Sequence, residues 1–366
     1  MNTARLDAAR IPELIQRLIG NLVGLRDSSG EFLLKLDDGR VIDTKGWNDW
    51  EWTHGIGLYG ILQYYRHTKD PQVRQIMTDW FRDRFRAGVP TKNVNTMAPF
   101  LTLAYLYEER PDAEYLPHLD SWAEWVMREM PRTEEGGLQH IVFNAENRQQ
   151  LWDDTLMMSV LPLTKIGLLL SRPAYIEEAK RQFLLHVKYL ADRSSGLWFH
   201  GWTFEGRHNF ARALWARGNC WVTIAIPEFV ELLDLQPRSG LRSFLLETLR
   251  VQVEALAKLQ DAGGLWHTLL DDPGSYLEAS STAGFAYGIL KSVRKGYLPE
   301  RFRETGLRAL AGVIANISPS GELQNVSFGT AMGNDLEFYR RIPLTAMPYG
   351  QALAILCLSE YLASGA

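Results

Sequence analysis

A chain of 366 residues with a net charge of −4 lacks the basic surplus that nucleic-acid binding demands. Its 46% hydrophobic and 22% charged content suits a large folded core, and no uncharged apolar run is long enough to span a membrane. Cys220 and Cys357 are far apart in no metal-like spacing, and the N-terminal stretch has no apolar signal region, so a cytoplasmic protein is expected.

Helical periodicity then runs the length of the chain, in two alternating kinds. The first segment, PELIQRLIGNLVGL, is amphipathic; HGIGLYGILQYY (from 54) is nearly uncharged and rich in small residues. PQVRQIMTDWFRDRF (71) is amphipathic again, and NTMAPFLTLAYLY (95) is not. The same alternation continues through EYLPHLDSWAEWVMREM (114), DDTLMMSVLPLTKIGLLL (153), AYIEEAKRQFLLHVKYLA (174) and GNCWVTIAIPEFVELL (218). It ends with LRSFLLETLRVQVEALAKL (241), EASSTAGFAYGILKSV (278), PERFRETGLRALAGVIANI (299) and TAMPYGQALAILCLSEY (345). An amphipathic helix buries one stripe, whereas a helix apolar all round is buried all round. Strict alternation therefore predicts an all-α fold, an (α/α)6 barrel of six inner and six outer helices, as a single domain over residues 1–366.

A second repeat agrees. Gly136-Gly137-Leu138-Gln139-His140, Ser195-Gly196-Leu197-Trp198-Phe199-His200, Gly263-Gly264-Leu265-Trp266-His267 and Ser320-Gly321-Glu322-Leu323 recur between an outer segment and the next inner one. Such a period marks a ring or array of one supersecondary unit.

All six inner segments start with polar and aromatic residues, which a closed ring would gather at one mouth. The chain's 12 Trp suit that mouth, because exposed indoles stack on sugars. Trp152-Asp153-Asp154-Thr155 places two acids at one such start. One Asp suffices as an N-cap, so Asp153 reads as that cap or as an arginine's partner. Asp154 then projects from the first turn, its pKa pushed up by burial and a like charge, as a proton donor. Trp215-Ala216-Arg217-Gly218-Asn219-Cys220-Trp221 sets an Arg between two tryptophans, suited to a ligand carboxylate or to packing on the indoles. His140, His200 and Trp202 lie on the repeated loops. No histidine fits a metal-ligand spacing, so neither metal nor cofactor is expected.

WEWTHGIGLYGIL, KNVNTMAPFLTLAYLY, QLWDDTLMM, FHGW, WARGNCW and YLEASSTAGFAYGILKSVRKGYL together resemble the unsaturated glycuronyl hydrolases, in particular the unsaturated rhamnogalacturonyl hydrolases of glycoside hydrolase family 105. The resemblance covers nearly the whole chain. It implies the same barrel and a substrate carrying a C4=C5 unsaturated uronic acid at its non-reducing end, as lyases leave it. The acid/base then falls on Asp154, a substrate-contacting histidine on His200, a carboxylate-side arginine on Arg217, and stacking on Trp152, Trp215 and Trp221. Many members carry a second active-site aspartate where this chain has Asn95.

Two other readings remain at this level. An ordinary inverting glycosidase needs a second acid, and Asp49, Glu51, Glu205 and Glu278 are the candidates near the mouth. A non-catalytic sugar binder or helical scaffold would not need Asp154. The expected partner is an unsaturated uronyl disaccharide or oligosaccharide, bound by a monomer or weak oligomer, with no nucleic acid and no membrane.

Overall fold

The computed structural model describes residues 8–365. Among these, twelve helices of nine residues or more follow in order: α1 (Ile11–Gly24), α2 (Trp52–Thr68), α3 (Pro71–Ala87), α4 (Pro99–Glu109), α5 (Leu116–Arg128), α6 (Leu161–Leu169), α7 (Pro173–Leu190), α8 (Ala216–Leu232), α9 (Gly240–Leu259), α10 (Ala279–Arg294), α11 (Arg303–Ala315) and α12 (Pro348–Ala363). The even-numbered helices pack α2–α4–α6–α8–α10–α12 and back onto α2, a closed inner ring. The odd-numbered helices lie outside it, each against its inner neighbour. This is the (α/α)6 barrel expected from the alternation.

The chemistry of the two helix kinds explains the arrangement. α9 buries Leu245, Leu249, Val253 and Leu256, one stripe at helical spacing. α12 is buried along its whole length from Pro348 to Tyr361. Small residues let inner helices touch through backbone: a Cβ on Gly60 of α2 would stand 2.8 Å from the Ala352 carbonyl of α12, and one on Gly288 of α10 only 2.3 Å from the Thr223 carbonyl of α8.

Prolines break two inner segments. The second begins as a short turn, Val94–Met97, and restarts at Pro99. The third opens as a π-helix, Leu156–Val160, in which the Leu161 N–H reaches back to the Leu156 carbonyl. Pro162 has no N–H to continue the ordinary ladder, and a π-turn accommodates the deficit.

The repeated loops are hairpin turns, each with a glycine at positive φ: Gly136 (78°), Gly196 (80°), Gly264 (91°) and Gly321 (81°). Each leans on the next outer helix, so that a Cβ would meet Arg181 of α7, Val251 of α9, the Arg308 carbonyl of α11 and the Arg17 carbonyl of α1 in turn. The last contact closes the outer ring across the chain ends. Three two-stranded antiparallel sheets were not anticipated from the sequence: β1 (Leu33–Lys35) with β2 (Val41–Asp43), β3 (Gln150–Trp152) with β4 (Gly201–Thr203), and β5 (Trp266–His267) with β6 (Leu277–Glu278). No helix among the described residues is long and apolar enough to cross a membrane.

Gly264→Ala should lower the urea midpoint by the equivalent of about 2 kcal/mol or more, since both its φ and the Arg308 carbonyl, 2.2 Å from the added Cβ, oppose it. Gly20→Ala, in the exposed face of α1 with nothing within 4 Å, should raise the midpoint by roughly 0.5–1 kcal/mol. Equal effects of the two substitutions would show that the hairpin turns do not lock the outer ring.

Candidate active site

A cavity of about 420 Å³ opens at the N-terminal end of the inner ring. Five of the six inner segments contribute to its wall at their starts, through Trp52, Asn95, Asp154, Trp215 and Met347. The sixth does not. Its Glu278 lies one layer deeper, 1% exposed, accepting the Ser327 N–H at 2.9 Å. The roof comes from segments with no helical signal: the β1–β2 hairpin, the loop around Val142–Asn147, and Phe328–Ala331. Phe32 and Phe328 meet across it with ring centroids 5.1 Å apart.

The antiparallel β3–β4 pair sets the centre. Its register puts Trp152 opposite Gly201, and the Asp153 N–H then donates to the His200 carbonyl at 3.1 Å. Two loops about fifty residues apart in sequence are thereby locked with Asp154 beside His200. Asp154 Oδ2 lies 3.4 Å from His200 Nε2, and His200 Nδ1 lies 2.8 Å from the Tyr339 hydroxyl. His140 stacks on Trp152 with centroids 4.1 Å apart and holds Thr155 Oγ1 through Nδ1 at 2.8 Å. Burial drives the His140 pKa down to about 3, so its ring is neutral.

The two acids have opposite ionisation. Asp153 is fully buried, with neither carboxyl oxygen hydrogen-bonded, and burial followed by the Asp154 charge pushes its pKa well above the carboxylate range. It lies against Gly218, where a Cβ would stand 2.4 Å from its Oδ2. Burial also opposes the charge on Asp154, but the His200 ring outweighs it and holds Asp154 below its ordinary value. This corrects two expectations. Asp153 caps no N–H with its side chain, because the first turn bonds instead through its main-chain carbonyl to Leu156. And His200 pulls the Asp154 pKa down, where burial and a like charge were expected to raise it.

Of the residues singled out in the sequence, Asn95, His140, Trp152, Asp154 and Trp215 line the cavity, and Asp153 and His200 stand directly behind Asp154. Three lie elsewhere. Arg217 has no exposed surface; its two terminal nitrogens donate to the Ser327 and Phe328 carbonyls, both at 2.8 Å, and its guanidinium lies over Trp215 at 4.6 Å. The fork expected to meet a ligand carboxylate is spent on the loop that forms the roof. Trp221 is fully buried with its edge to Trp52, and Trp202 packs on Tyr189 away from the cavity.

The sequence reading gave no role to Tyr339, which arrives from a short helical turn, Leu336–Arg340, and offered Glu51 only as one of four possible second acids. Glu51 is the one of the four that lines the cavity. It is 3% exposed, its Oε2 accepts the Trp52 N–H at 2.7 Å, and the nearby Asn95 side chain favours its charged form while burial opposes it. An acid between two tryptophans at an inner start, WEW, is the same signal that drew attention to WDD. Asp153, Asp154 and His200 also offer three ligand atoms within 4.8 Å of one another.

An aromatic cavity at the mouth of an (α/α)6 barrel, with Asp154 in its wall and Asp153 buried beside it, is the setting of a carbohydrate-active enzyme, and the relatives fix the class as a glycoside hydrolase. The chain belongs to Glycosyl Hydrolase Family 88, whose pattern it matches over residues 25–364. It is 33% identical over 316 residues to the unsaturated rhamnogalacturonyl hydrolase YesR of Bacillus subtilis, covering 86% of this chain and 90% of that protein. It superimposes with TM-score 0.98, at 61% identity over 100% of this chain and 97% of the other, on a crystal structure of a possible member of the GH105 family from Salmonella enterica serovar Paratyphi A. With the unsaturated glucuronyl hydrolase of Bacillus sp. GL1 the TM-score is 0.70 at 16% identity, covering 96% of each chain, a likeness of fold.

Arg217→Ala should destabilise the protein by about 3–5 kcal/mol, the cost of leaving buried partners unpaired, read as a shifted urea midpoint. A variant of full stability with selectively weakened ligand binding would return the arginine to the role of a ligand contact.

Proposed function

We propose that the protein hydrolyses the glycosidic bond of C4=C5 unsaturated uronyl oligosaccharides, of the rhamnogalacturonan disaccharide type, by adding a proton and water across the double bond. The observation that carries this reading is the Asp154 carboxyl, which lines an aromatic cavity with the buried Asp153 carboxyl beside it and the His200 imidazole 3.4 Å behind it. Alkene hydration needs one group that first gives a proton and then takes one, and a pair of carboxyls sharing a single proton is suited to that.

At rest the shared proton sits on Asp153. A uronate filling the cavity displaces water and brings a negative charge, and both effects make ionised Asp154 harder to maintain. The proton moves to Asp154, which delivers it to C4. The cation left at C5 is stabilised by the ring oxygen and captured by water, whose proton returns to the Asp154 carboxylate. The resulting hemiketal opens, and the sugar attached at C1 leaves. His200, held by Tyr339, keeps the Asp154 carboxyl aimed. Trp152 and Trp215 provide faces for the sugar rings.

The similarity to the rhamnogalacturonyl hydrolase of B. subtilis supports this substrate class. An inverting glycosidase using Glu51 and Asp154 would also place two carboxyls on the cavity, but it would leave the double bond intact.

Asp154→Asn should lower the rate of loss of double-bond ultraviolet absorbance by about 10²–10⁴ while substrate binding survives. Asp153→Asn removes the resting store of the shared proton but leaves Asp154 able to take one from solvent, so its activity should fall less and its optimum should move to lower pH. Equal losses in the two variants, or the reverse order, would mean that the proton is delivered by the other carboxyl. Cleavage of the disaccharide with the absorbance unchanged would replace hydration by ordinary glycoside hydrolysis.

A further inference from the structure

The cavity has an electrostatic problem. Among the described residues its wall carries three carboxyls, Glu31, Glu51 and Asp154, and no lysine or arginine. His140 is neutral, and the Arg217 fork is committed to the roof loop. A uronate entering this space meets ionised Asp154 with no cation in the wall to receive its own carboxylate.

Glu51 is built differently from the other two acids. It is 3% exposed, one oxygen is tied to the Trp52 N–H, and Asn95 is its uncharged polar neighbour. The groups around it supply no positive charge. On its own helix, His54 accepts the Glu51 N–H through Nδ1 and is held neutral by burial. On the preceding loop, Asp49 accepts the Asp43 and Trp50 N–H groups, and Lys45 is engaged with Thr345 and the face of Phe32. The Val94–Met97 turn offers uncharged Asn95, and the roof loop Phe328–Ala331 has no titratable side chain. Across the cavity stand Glu31, His140 and Asp154. A buried carboxyl without a cation stays uncharged. Burial, against the opposing Asn95 and helix N–H bonds, pushes its pKa up to about 8.

We propose that Glu51 is the receptor for the substrate's carboxylate: an uncharged carboxylic acid, anchored through one oxygen by the Trp52 N–H, donates its O–H to the uronate where an arginine would otherwise serve. An O–H to carboxylate bond is among the strong charge-assisted ones, and a neutral donor adds no net charge next to Asp154. The proposal rests on the reading that the terminal sugar is a uronate. The sign of its pH dependence follows. Affinity is complete while Glu51 is protonated and is lost as pH rises through its titration near 8, where the donor disappears and a repelling charge takes its place.

The test measures kcat and KM on the unsaturated galacturonyl-rhamnose disaccharide for wild type, Glu51→Gln and Glu51→Ala from neutral to about pH 9, with thermal melting to confirm folding. Wild-type KM should rise by about tenfold per pH unit once Glu51 ionises. Glu51→Gln keeps an uncharged donor, so its KM at neutral pH should be raised by less than about tenfold and should lose the alkaline rise. Glu51→Ala should raise KM further, with kcat moved less than KM. Loss of kcat in Glu51→Gln as complete as in Asp154→Asn would overturn the proposal, because Glu51 would then be transferring a proton. So would an alkaline rise that persists in Glu51→Gln. Should wild type leave the double bond intact, the reaction reading fails, and calorimetric binding of galacturonate at neutral and alkaline pH still decides Glu51. Binding that weakens with pH in wild type and not in Glu51→Gln supports the receptor role; the same pH dependence in both overturns it.

Discussion

The contact between α2 and α12 joins helices from opposite ends of the chain, and the cavity exists only because that seam closes. Gly60 lies against the Ala352 backbone, and Trp52 stacks on Tyr349 with centroids 4.6 Å apart. The Tyr349 hydroxyl then donates to the Ser327 carbonyl, and its ring carries the Arg217 guanidinium at 4.9 Å. One seam thus ties the first and last inner helices to α8 and to the roof loop. It is a long-range closure, so its entropic cost is met by burying apolar surface and by backbone approach that only small side chains permit.

Within the closed ring, three carboxyls of similar chemistry take three different states because their surroundings differ. Asp153 has burial and the Asp154 charge beside it, and both favour its protonated form. Asp154 has His200 and loses its proton. Glu51 has burial and an amide in place of a cation. Environments that push neighbouring acids apart are how one site carries out both proton donation and proton removal at a single pH.

The position of Arg217 changes how the ligand end of the site is understood. Held by two carbonyls and two aromatic faces, it shapes the roof through Ser327 and Phe328. Anion recognition then passes to the wall, where Asn95 stands. An asparagine beside Glu51 is not simply a lost acid: it gives that carboxyl a polar neighbour without contributing a second negative charge.

The barrel itself was written in the sequence. Strict alternation of amphipathic and uncharged helical segments points to a ring inside a ring, because one kind of helix buries a single stripe and the other must be buried on all sides. The WDD start, His140, and the tryptophans at 152 and 215 were legible for the same reason, since the starts of inner helices share one end of the barrel. The β1–β2 hairpin, Tyr339 and the roof loop were not, because their places depend on contacts between segments distant in the chain and no local periodicity records them. Nor does sequence show where a proton sits. Adjacent Asp153 and Asp154 read alike as letters, and only the three-dimensional placement of His200 beside one of them, and of Gly218 under the other, gives the two carboxyls opposite charge.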